Sequence, residues 1–186
     1  MTGPASVEGR ERLRLFVAFR LPRDTARAIT RWQRDVLDVP EGVRIVPQDN
    51  LHATIAFLGS RPADELASIT TAVGEAAQDG DRPVLRAIRY RETRSVGMLV
   101  FDDEDGRAAT IATGVQRRLD RLGVYKSEKR PWLPHITVVR FRRPPKLEPE
   151  VPDLGPVSPS EAAVYHSELR RGGAQYQVLE SVALGG

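Results

Sequence analysis

Two stretches of this chain carry residue types that do chemistry near neutral pH, and they carry them in the same frame. Leu51-His52-Ala53-Thr54-Ile55-Ala56-Phe57-Leu58-Gly59 and Pro134-His135-Ile136-Thr137-Val138-Val139-Arg140-Phe141 both read His-x-Thr followed by apolar residues. The chain has only three histidines, and two of them sit in this repeat. An imidazole with its ordinary pKa near 6.5 can take or give a proton at physiological pH. Two imidazoles aimed at one ligand divide the work. The neutral one draws a proton from an attacking nucleophile, the protonated one gives a proton to the leaving oxygen, and each transfer typically contributes ~10²–10⁴ in rate. A threonine hydroxyl beside each can donate to phosphoryl oxygens on which charge builds up. A lone histidine in a strand is usually an ordinary core or surface residue, and threonine suits strands for its own reasons. The repetition of both in one frame points to a shared site.

The element that must position them is a β-strand, in which successive side chains point to opposite faces. His52 and Thr54 then share one face, as do His135 and Thr137. Ala53, Ile55 and Phe57 point the other way, as do Ile136 and Val138. Strict alternation also sends Arg140 to the face opposite His135, so that it reaches a shared ligand only at the strand end or through a bulge.

Metal binding is the competing chemistry. His52 and His135 could supply half of a zinc site and His166 a third ligand, but no carboxylate or thiolate stands at paired ligand spacing. The sequence therefore predicts no metal and no other cofactor, with His166 at the surface of a strand. Asp102-Asp103-Glu104-Asp105-Gly106 lacks calcium-loop spacing and reads as a solvated turn. There is no Gly-x-Ser-x-Gly nucleophile elbow and no Gly-x-x-x-x-Gly-Lys phosphate loop.

Around the motifs, Leu13 to Arg20 reads as a buried strand with Leu13, Leu15, Val17 and Phe19 on one face and Phe16 and Ala18 on the other. Helical periodicity follows Pro22 (Ala26, Ile29, Trp32, Val36), follows Pro62 (Leu66, Ile69, Val73) and recurs at Ile111, Val115, Leu119 and Leu122, ending at Gly123. Further strands are predicted at Val43 to Val46, Pro83 to Tyr90, Val96 to Phe101, Glu161 to Leu169 and Gln175 to Leu184. The last two join through Arg170 to Ala174. Strands that follow one another without a crossover helix imply an α+β fold with antiparallel pairing. The twin motifs imply a weak duplication, two lobes that each contribute one motif strand. Met1 to Glu11 is polar and reads as a disordered leader, leaving 12–186 as one two-lobed domain. A chain with no cysteine and no apolar run of membrane length is expected to be cytoplasmic, monomeric and away from membranes. The net charge of +3 favours an anionic ligand such as a nucleotide or RNA.

At these motifs the sequence resembles the 2H phosphoesterase superfamily, and within it the RNA 2′,3′-cyclic phosphodiesterases, historically called 2′-5′ RNA ligases. The resemblance runs from Leu15-Phe16-Val17-Ala18 through both histidine motifs and Arg130-Pro131-Trp132-Leu133 to Tyr165-His166-Ser167-Glu168-Leu169 and Gly172-Gly173-Ala174-Gln175-Tyr176. It implies a bilobal α+β fold with pseudo-two-fold symmetry, two antiparallel sheets around a central cleft and helices outside. It also implies metal-independent hydrolysis of an RNA or nucleoside 2′,3′-cyclic phosphate to a 2′-phosphate. Carried onto this chain, His135 is the general base and His52 the general acid. Thr54, Thr137 and Arg140 hold the phosphate, and Phe16 contacts base or sugar unless it is ordinary core. The resemblance assigns Trp132 no role, and it either stacks on a base or covers the lobe interface. The alternatives are 2′-5′ ligation of tRNA halves and an RNA- or nucleotide-binding module without turnover. Many members carry a basic residue where this chain has Ala56, which implies a missing phosphate contact.

Overall fold

The computed structural model describes residues 11–185. The predicted leader falls outside them except for Glu11. In chain order the elements are β1 (Arg12–Arg20), α1 (Arg23–Val36), β2 (Arg44–Ile45), β3 (His52–Pro62), α2 (Leu66–Ala77), β4 (Arg86–Glu92), β5 (Val96–Asp102), α3 (Arg107–Arg121), β6 (His135–Arg140), β7 (Glu161–Arg170) and β8 (Gly173–Ala183). They form two four-stranded sheets, in the order β3-β1-β7-β8 and β2-β6-β5-β4, with every pairing antiparallel. One motif strand lies in each sheet. The division does not follow the halves of the sequence, because the two C-terminal strands return to pair beside β1.

The core forms where the sheets turn apolar faces toward the helices. Leu15, Val17 and Phe19 of β1 are buried there with Ile29, Ile69, Val73, Ile111, Val115 and Leu119 of the three helices and with Leu99 and Ile136 of the second sheet. Phe16 and Ala18 belong to a separate apolar cluster on the opposite face, with Ala163 and Tyr165. Both faces of β1 are therefore covered, as its continuous apolar run requires. Among the described residues no helix is long and apolar enough to cross a membrane.

Local differences from the expected elements have physical causes. In α1 the fourth inward position is Gln33, which is 1% exposed, while Val36 is 42% exposed. The Gln33 amide nitrogen donates to the carbonyls of Val46 (3.1 Å) and Val138 (2.8 Å), while its buried Oε1 finds no partner among the described residues. The acidic loop caps α3: both carboxylate oxygens of Asp103 accept backbone N–H groups, from Ala108 (3.2 Å) and Ala109 (2.7 Å). Gly123, at φ 71°, follows the end of that helix in the left-handed conformation. After Pro62 the chain first makes a short 3-10 turn, Ala63–Glu65, so α2 starts at Leu66, the first residue of the apolar periodicity, and not directly at Pro62.

Candidate active site between the two sheets

Bulges decide which side chains reach the cleft. In the β1–β3 ladder Ala18 pairs with Thr54 but Val17 pairs with Ala56, which leaves Ile55 as an extra residue. Phe16 then pairs with Phe57 and Leu15 with Gly59, leaving Leu58 extra. In the β5–β6 ladder Met98 pairs with Thr137 and Gly97 with Val139, leaving Val138 extra. A bulge reverses the alternation of side chains beyond it. Each motif strand therefore carries a bulge directly after its threonine, and in each the residue three past that threonine returns to the cleft face. Those residues are Phe57 and Arg140. Both line one cavity of about 600 Å³ together with His52 and Thr137. The expectation that Phe57 faces away from His52 is overturned by this bulge, and the parity objection to Arg140 is removed by its counterpart.

The two histidines are held alike. His52 donates its Nδ1 hydrogen to the Asn50 carbonyl at 2.8 Å, and His135 donates its own to the Leu133 carbonyl at 2.8 Å. A carbonyl can only accept, so each neutral ring carries its proton on Nδ1 and keeps an unprotonated Nε2. The same i−2 bond in both motifs is the duplication expressed at atomic scale. β3 and β6 are neighbours across the cleft, and the charge of His135 is felt at His52.

The surroundings of His52 are aromatic. Its ring centroid lies 4.8 Å from Phe16, 5.9 Å from Tyr165 and 5.3 Å from Tyr176, the last edge-on at 81°. Phe16 stacks on Tyr165 at 4.8 Å and 3°. Burial against these rings lowers the His52 pKa to about 4, opposed by the Asn50 carbonyl and aided by the charges of Arg140 and His135. The same burial raises the Tyr165 phenol to about 12. His52 is thus neutral in the empty cleft, its Nε2 a free acceptor.

Among known proteins, the family model "LigT like Phosphoesterase" matches residues 19–89. The RNA 2′,3′-cyclic phosphodiesterase of Escherichia coli (strain K12) is 30% identical over 172 residues, spanning 92% of this chain and 96% of its own. That of Thermus thermophilus is 31% identical over 185 residues, spanning 94% and 91%. The chain belongs to the LigT-like phosphoesterase family. A crystal structure of E. coli LigT complexed with NADP+ superposes with a TM-score of 0.78 at 27% identity, covering 95% of this chain and 99% of that one.

In this LigT-like phosphoesterase several side chains stand elsewhere than the sequence suggested. Phe16 is among the residues lining the cavity but is only 1% exposed, its ring packed against that of His52. Phe57 lines the cavity too, together with Tyr176; it is 64% exposed and 5.7 Å from the Phe16 ring. Trp132 does not line the cavity. Its indole N–H donates to the Thr54 carbonyl at 2.9 Å and its ring meets Phe19 edge-on at 5.7 Å, so it ties the loop before β6 to the first sheet. Ala56 is 2% exposed and belongs to the core, so a longer basic side chain here would start beneath the sheet, away from the cleft. Thr54 and His135 are half-buried and are not among the cavity's lining residues, whereas Thr137 is. His166 pairs with core-facing Leu15, on the face away from His52, with Nδ1 3.8 Å from a Glu168 oxygen. Among the described residues no three His, Asp, Glu or Cys side chains converge as metal ligands.

Proposed function

We propose that this chain hydrolyses 2′,3′-cyclic phosphate ends of RNA to 2′-phosphates. Its family membership and the names of its relatives support that substrate. The observation that carries the reading is the pair of backbone-oriented imidazoles, one from each sheet, beside a cavity that holds Arg140 and Thr137. Water attacks phosphorus and gives its proton to Nε2 of His135. The bond from phosphorus to the 3′ oxygen breaks, and that oxygen takes the proton carried on Nε2 of His52. The phosphate remains on the 2′ oxygen. Thr54, Thr137 and Arg140 hold the non-bridging oxygens as their charge rises.

The acid role demands a proton that His52 does not hold in the empty cleft. Substrate supplies the reason to take one up, because an anionic phosphate beside the ring offsets the field of Arg140 and favours the imidazolium. Substrate binding therefore carries proton uptake at neutral pH.

The test is incubation with an RNA bearing a terminal 2′,3′-cyclic phosphate in EDTA, with product ends mapped. A 2′-phosphate at an EDTA-insensitive rate is expected. His52→Ala and His135→Ala should each lose ~10²-fold or more in kcat/KM. A variant that keeps full rate means its histidine plays no part, and a 3′-phosphate product refutes the assignment of the leaving oxygen.

A further inference from the structure

The cleft carries a charge pattern that one phosphate does not use. Arg44 on β2 stands directly opposite Arg140 on β6. Cross-strand partners have Cβ atoms roughly 4.5–5.5 Å apart, and like charges so placed destabilise the pairing. Neither guanidinium has a carboxylate partner among the described residues, and both line the cavity. Among the described residues the lining holds four arginines, Arg14, Arg44, Arg140 and Arg170, and no aspartate or glutamate. Only Arg170 is engaged, with Glu168 at 2.7 Å. Arg14 comes from the other sheet, on the cleft face of β1 two residues before Phe16, exposed and without a carboxylate partner among the described residues.

Three guanidiniums from both sheets, none with a carboxylate partner among the described residues, therefore border one volume of about 600 Å³. A cyclic phosphate is a monoanion, and Arg140 beside His52 answers it. Arg44, beside Arg140 on the second sheet, and Arg14, on the first, remain in the same lining. In the reacting nucleotide the 2′ and 3′ oxygens are both bound in the ring, so a second phosphate can sit only on the 5′ oxygen. We infer that Arg44 and Arg14 form a second phosphate site, which takes the phosphate on the 5′ oxygen of the reacting nucleotide. This inference rests on the hydrolysis proposed above. It makes the substrate an RNA end, with a bare nucleoside cyclic phosphate much the poorer ligand.

Three substrates test it: adenosine 2′,3′-cyclic phosphate, the same compound with a 5′-phosphate, and the dinucleotide ApA ending in a 2′,3′-cyclic phosphate. Wild type should favour the second and third by about tenfold or more in kcat/KM, the scale of a charge-assisted contact. Arg44→Ala and Arg14→Ala, both at exposed positions without a carboxylate partner among the described residues, should each remove most of that preference with little change on the bare cyclic nucleotide. Preference for the dinucleotide alone would assign the site to a diester; preference for both phosphorylated compounds assigns it to phosphate itself. No preference in wild type, or an equal loss on all three substrates in the variants, overturns the inference. If wild type hydrolyses none of the three, the proposed reaction fails, and the site is read by binding. Adenosine 2′,5′-bisphosphate should then bind wild type more tightly than adenosine 2′-phosphate, and Arg44→Ala should abolish the difference; equal affinities in wild type overturn it.

Discussion

His52 combines two demands that pull against each other. A ring held by the Asn50 carbonyl and packed on Phe16, Tyr165 and Tyr176 is well oriented, and the same rings strip it of the water that would stabilise its charge. Orientation is thus obtained at the expense of basicity, with a folded pKa of about 4 against an ordinary 6.5. The sign for stability follows. Between pH 6.5 and 4 the unfolded chain binds more protons at this residue than the folded one, so stability falls as pH falls through that window. By pH 5 the loss is about 2 kcal/mol. His52→Phe should flatten that part of the pH–stability curve, read as urea midpoints at pH 7 and pH 5. Equal slopes in wild type and variant would mean that the ring is not held neutral by burial. Phe57 is the residue the alternation rule misplaced. No local signal distinguishes it from any other apolar strand residue, and its exposure follows from the bulge at Ile55.

At the scale of elements, the two motif strands share a bulge, and the second is fastened from outside. The carbonyl of the extra residue Val138 accepts from the Val46 N–H at 2.9 Å and from the buried Gln33 amide of α1 at 2.8 Å. Position 33 therefore acts on Arg140, two residues along, without touching the cleft. Gln33→Leu removes this donor from both carbonyls; that of Val138 keeps the Val46 N–H. It should cost about 1–3 kcal/mol of stability. It should also raise KM more than it lowers kcat, because the segment presenting Arg140 is loosened while the histidines keep their own backbone bonds. Denaturant midpoints and steady-state kinetics on the same preparation check both halves. An unchanged KM would mean that the bulge holds itself.

For the whole molecule the question is what joins the two sheets. Trp132 precedes β6 of the second sheet, yet its indole N–H bonds the Thr54 carbonyl of β3 and its ring packs on Phe19 of β1. It thereby links the segment leading into β6 to the sheet that carries His52. Trp132→Phe retains an aromatic ring and loses the hydrogen bond. It should cost about 1 kcal/mol and lower kcat/KM through the relative placement of the imidazoles. Hydrogen exchange should quicken in β3 and the loop before β6 while the β7–β8 hairpin stays protected. Quickening confined to the loop would mean that the bond does not couple the lobes.

Much of this protein is written locally. The paired His-x-Thr frame, the helical periodicities, the α+β class and the antiparallel strands all follow from nearest-neighbour rules that act within a few residues. The histidine tautomers also arise from bonds only two positions away. The sequence could not say where alternation breaks, because a bulge depends on the partner strand: Ile55 and Val138 are extra only against β1 and β5. Nor could it say that Ala56 lies in the core, which of its two expected places Trp132 takes, or that Arg14 and Arg44, thirty residues apart, border one cavity. Those facts are properties of pairing and packing between distant segments, and only the assembled sheets decide them.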